Sequence, residues 1–80
     1  MRKNKELLLS DVRDGETVVV INTGSDEIMV QTLRFGLDTG SIICVEKNIS
    51  GGPVIVSRNQ LEIAIGREIA KNILVAPLAD

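Results

Sequence analysis

Leu33-Arg34-Phe35-Gly36-Leu37-Asp38-Thr39-Gly40 is the stretch from which the rest of the chain can be read. Gly36 suits the left-handed position that ends a helix, Arg34 lies in the last turn, and Leu37 is the apolar residue that commonly packs back on a helix so capped. Upstream, Ser25 is placed as an N-cap, with Asp26 and Glu27 in the first turn where the helix dipole favours carboxylates. Ile28, Met29, Thr32 and Leu33 recur at helical spacing and predict one buried stripe. One helix of about three turns within Ser25 to Phe35 follows.

On either side of this helix the pattern changes to short β segments. Before it, Thr17-Val18-Val19-Val20-Ile21 is a strand by its β-branched content, apolar on both faces, and Asn22-Thr23-Gly24 ends it. Leu7-Leu8-Leu9, ahead of Ser10-Asp11 and Asp14-Gly15, reads as an apolar anchor that plugs one end of the core. After the Gly40 turn, Ile42-Ile43-Cys44-Val45 is again apolar on both faces and runs out through Glu46, Lys47 and Asn48. Pro53 cannot donate to a ladder and belongs at a strand start, so Val54-Ile55-Val56 begins behind the Ser50-Gly51-Gly52 loop, and Arg58-Asn59 makes the next turn. Leu61, Ile63 and Ile65 alternate with Glu62 and Ala64, the period of a strand with one buried face. Arg67 to Asn72 is one helical turn leading to Ile73-Leu74-Val75, with Pro77 ending the last strand. The order β-α-β-β-β-β, with a helical turn before the final strand, closes most simply into a mainly β, five-stranded barrel. Its expected core includes Val18, Val20, Leu33, Ile43, Val56, Ile63 and Ile65.

Composition narrows the function. Eighty residues make one domain, which buries only roughly 60–65% of its unfolded surface, and the 44% hydrophobic content is almost entirely aliphatic, with 1% aromatic. There is no His, Trp or Tyr, and there is one Cys and one Phe, so the side chains of acid–base, nucleophilic and metal chemistry are scarce. The chain reads as a binding module and not an enzyme, with no cofactor. A net charge of −2 argues against a nucleic-acid partner, which requires a basic face. No apolar run approaches the ~20 residues of a membrane span, and no signal-peptide core follows the basic start. A cytoplasmic protein is expected, and a single Cys fits a reducing compartment.

These elements together are similar to the FeoA family, the small cytosolic proteins of bacterial ferrous iron uptake. The resemblance is carried by Leu9-Ser10-Asp11 with Gly15, by the Phe35-Gly36-Leu37 corner with Gly40, by the Gly51-Gly52-Pro53 loop, and by Ile63-Ala64-Ile65 leading to Glu68, Ala70, Ile73 and Val75. It implies a barrel of the Src-homology-3-like (SH3-like) kind over residues 7–76, between a flexible basic N-terminus at 1–6, with Arg2, Lys3 and Lys5, and a tail at 77–80. Val30, Gln31 and Thr32 stand where relatives often carry basic residues, and Thr39 where they often have Pro, so a helix-borne arginine cluster does not transfer. The resemblance also implies iron homeostasis as the setting and, as partner, the membrane transporter FeoB with its cytosolic GTPase domain. Transition-metal binding is attached to the family.

The residues leave direct iron binding without a ligand set. Cys44 sits among Ile42, Ile43 and Val45 and reads as a packing residue, while Asp26 and Glu27 are adjacent on a helix and do not converge. Arg34, Arg58 and Arg67 read as solvated surface charge. The sharper signal is excess apolar surface: two strands are apolar on both faces, and a barrel has one interior. Met29 and Leu37 are the candidate partner-binding residues. A homo-oligomer would use the same surface, and an SH3-like module acting on another macromolecule, such as an iron-responsive regulator or RNA, is the alternative function.

Overall fold

The computed structural model describes residues 5–34 and 36–78. Arg2 and Lys3 of the basic arm, Phe35 of the glycine corner, and Ala79 and Asp80 lie outside them. The described chain runs through β1 (Leu7–Leu8), a 3-10 turn (Leu9–Asp11), β2 (Thr17–Asn22), α1 (Asp26–Arg34), β3 (Ile42–Asn48), β4 (Val54–Arg58), β5 (Leu61–Ile65), α2 (Arg67–Ala70) and β6 (Leu74–Pro77). One antiparallel sheet in the order β1-β6-β2-β3-β4-β5 holds all six strands. The expected mainly β barrel with one inserted helix is therefore present, and the sixth strand comes from the anchor: Leu7 and Leu8 pair with Val75 and Leu74 while Leu9, fully buried, plugs the interior.

Alternation along the strands sorts the doubly apolar segments. Val18 and Val20 point inward with Ile43 and Val45 across the ladder, and Val54, Val56, Ile65 and Val75 complete the inner face. Val19 stands opposite Ile42 on the outside, where Ile42 is exposed and Val19 half-buried. Two register shifts bend the sheet enough to curl, one between Val20 and Asn22 against β6 and one between Val45 and Lys47 against β4. Of the expected core, Val18, Val20, Ile43, Val56 and Ile65 are buried and Ile63 packs partly against them. Leu33 is the exception at 50% exposed.

Between β1 and β5 no ladder closes the sheet among the described residues. Side chains bridge that seam instead. Arg67, directly beyond β5 at the head of α2, donates from Nη1 to the Ser10 carbonyl (3.2 Å) just beyond β1, from Nε to the Gly52 carbonyl (2.8 Å), and from Nη2 to Asn48 Oδ1 (2.6 Å) and the Ile49 carbonyl. Asn48 Nδ2 donates to the carbonyls of Ser10 (2.9 Å) and Val12 (2.7 Å), and its main-chain N–H donates to Asp14 Oδ1 (2.7 Å). Arg67 is thus a half-buried clasp and not the solvated charge expected.

Candidate functional site

α1 is the longest of the helical elements laid outside the ladder, and how it is fastened decides which side it shows to solvent. Ser25 caps its start: Oγ accepts the Ile28 N–H (3.3 Å) and the Ser25 carbonyl accepts that of Met29 (2.9 Å). At the other end Gly36, with φ +75°, completes a Schellman pair in which the Leu37 N–H donates to the Thr32 carbonyl (2.9 Å) and the Gly36 N–H to that of Leu33 (3.0 Å). Arg58 Nη1 then donates to the Gly36 carbonyl (2.6 Å), placing a cation at the negative end of the helix dipole and tying it to the end of β4. Arg58, half-buried, is a second arginine that is structural, whereas Arg34 is exposed.

A Cβ at Gly36 would stand 3.0 Å from Arg58 Nη1 as well as at a left-handed φ. Gly36→Val is expected to lower the unfolding free energy by about 1–3 kcal/mol. Urea denaturation measures it, and an unchanged midpoint would show that Gly36 is not a left-handed cap.

The buried side of α1 is narrower than its apolar pattern predicts. Ile28 packs partly on the core and Thr32 is fully buried, its hydroxyl donating to the Met29 carbonyl (2.9 Å) so that burial leaves no polar atom unpaired. Leu37, 1% exposed, fills the core place expected of Leu33. Its candidacy as a partner-binding residue is therefore corrected: the same C-cap that swings it behind the helix removes it from the surface. Met29 (41% exposed), Leu33 (50%) and Val30 (53%) remain outside. At about 100° per residue they occupy one continuous arc of roughly 100°, separate from the Ile28–Thr32 side.

Cys44 is half-buried and cross-strand from Thr17 and Ser57, so it belongs to the flank of the sheet and not to the core. Among the described residues no three of Cys, Asp and Glu converge as metal ligands, and no helix is long and apolar enough to cross a membrane. Val30 and Leu33 are the surface residues that sequence reasoning missed; the polar Thr32 between them was the signal, since its hydroxyl can be satisfied within the helix and a leucine beside it need not be core.

The FeoA domain model matches residues 7–77. The crystal structure of an iron uptake regulatory protein, FeoA, superposes with a TM-score of 0.86 at 28% identity over 92% of this chain and 100% of that one. A FeoA-like protein from Clostridium acetobutylicum gives a TM-score of 0.80 at 23% identity, covering 100% of this chain and 93% of the other. A manganese-dependent transcriptional repressor shares the fold with a TM-score of 0.81 at 21% identity over 98% of this chain, which spans 45% of the repressor. No curated protein matches the chain.

Proposed function

Since the chain belongs to the FeoA domain family, we propose that it is a small accessory protein of ferrous iron uptake that docks on the cytosolic GTPase domain of the transporter FeoB. The observation that carries this reading is the outward arc of Met29, Val30 and Leu33 on α1. A surface helix needs one apolar side to pack on its own barrel, and Ile28 and Thr32 supply it. A second apolar arc does nothing for the isolated fold, and contiguous exposed apolar surface is what helix-mediated docking uses.

Calorimetric titration of the protein into the purified GTPase domain tests this. Binding by the unaltered protein is expected, with Met29→Glu and Leu33→Glu each weakening it about tenfold or more, because a carboxylate in an apolar interface must be desolvated without a partner. Circular dichroism should be unchanged, since both side chains leave the core intact. Folded variants that bind as the unaltered protein does would reject the arc, and no binding by the unaltered protein would reject the partner.

A further inference from the structure

The sheet ends on two unlike edges. β1 offers two residues and is too short to template another strand. β5 pairs with β4 over all five of its residues with no register shift, and Leu61–Ile65 contains no Pro, Lys or bulge, so that of the devices that blunt an edge only the single charge of Glu62 is present. The turn that leads into it, Asn59-Gln60, has φ of +52° and +70°, a two-residue hairpin of the I′ kind in which the flanking Arg58 and Leu61 exchange hydrogen bonds. Antiparallel alternation gives Ile63 and Ile65 to β4 as well and turns the N–H and C=O of Glu62 and Ala64 to the open side. Among the described residues no loop or turn hydrogen bond reaches these four groups, and both residues are exposed.

We propose that a second copy of this chain pairs on this edge, β5 against β5, antiparallel and centred on Ile63. The occupant follows from self-complementarity. In this register Glu62 stands opposite Ala64 of the second copy and the two exchange both main-chain bonds, twice by symmetry, so all four open groups on each copy are used. Centring on Glu62 would stack two carboxylates directly, and centring on Ala64 would leave Glu62 opposite Gly66, beyond the strand. The Ile63 register instead holds the two Glu62 side chains diagonally, about 7–8 Å apart. It also sets Leu61, at 62% exposed the most solvated large apolar residue in the barrel, beside Ile65 of the second copy. The inference does not rest on the transporter reading, since it uses β5 and none of Met29, Val30 and Leu33.

Sedimentation equilibrium of the full chain across about 10 µM to 1 mM, the range of weak interfaces, should show the mass rising from monomer toward dimer. Amide exchange by NMR over the same range should show the Glu62 and Ala64 N–H groups gaining protection with concentration, while Ile63 is protected throughout. Ala64→Pro removes a donor that the monomer does not use and is expected to keep the protein monomeric at every concentration with an unchanged fold. Ala64→Lys places an ammonium opposite Glu62 of the second copy twice and is expected to tighten the dimer about three- to tenfold, which keeps the register testable if the proline variant fails to fold. A monomer throughout with both amides unprotected, leaving the edge to an extended peptide of another protein, would overturn the proposal. So would a dimer that survives in folded Ala64→Pro, or one that Ala64→Lys weakens.

Discussion

Asn48→Leu is expected to lower the unfolding free energy by about 2–4 kcal/mol, a large share of what an 80-residue barrel has. The side chain is nearly isosteric, so lost volume is not the reason. Asn48 satisfies the carbonyls of Ser10 and Val12 with its amide and holds the Arg67 guanidinium with its oxygen. Leucine leaves the Val12 carbonyl without its donor and takes one acceptor from a half-buried charge, at the one place where the sheet has no ladder to fall back on. Arg67→Lys should cost less than Arg67→Ala, since an ammonium keeps a charge near the carbonyls but cannot span Ser10, Gly52 and Asn48 at once. Urea unfolding with a double-mutant cycle measures this. Strict additivity of Asn48→Ala and Arg67→Ala would mean that the two do not act as one clasp.

Leu37→Ala is expected to cost about 2–4 kcal/mol, whereas Leu33→Ala should stay within about 0.5 kcal/mol. Four residues apart, the two leucines have similar claims by pattern, yet one is 1% and the other 50% exposed. Truncating Leu37 opens a cavity beneath the helix terminus that Arg58 and the Schellman pair hold in place, so little collapse can fill it. Truncating Leu33 removes atoms already largely in water. Thermal unfolding of both variants side by side settles the assignment, and equal losses would return Leu33 to the core.

How far each feature could be read beforehand depends on how local its cause is. The helix ends were legible because Ser25 and Gly36 act through bonds spanning a few residues, and the strands of β2, β3 and β5 because alternation and β-branching act within the strand. The inner set was legible only in part even where the strand alternates, as in β5: Ile65 is buried and Ile63 half-buried, but Leu61, beside the turn, is 62% exposed and not on the buried face expected of it. The side of α1 was legible only in part: Ile28 and Thr32 of the expected stripe face the barrel, but Met29 and Leu33 do not, because Leu37 could take the place of Leu33 only once the chain had turned at Gly36. The turn at Asn59-Gln60 lies one residue beyond the expected Arg58-Asn59, since no glycine marks its left-handed pair. Asn48 and Arg67 were unreadable for a different reason: their partners sit at Ser10 and Val12, between β1 and β2, and at Ile49 and Gly52, between β3 and β4, two connections that meet only when the sheet has curled.

The clasp also bears on the order of events as the chain folds. The Arg67–Ser10 bond joins groups 57 positions apart, so it can form only after nearly the whole polypeptide has collapsed, and closing so long a loop carries an entropic cost that no local element offsets. The hairpin of β4 and β5 and the capped helix can assemble early from neighbouring residues; the seam belongs to the last stage. Changes at Asn48 or Arg67 should therefore act mainly on the unfolding rate and leave the refolding rate nearly untouched, making this seam the latch that sets how long the native state persists.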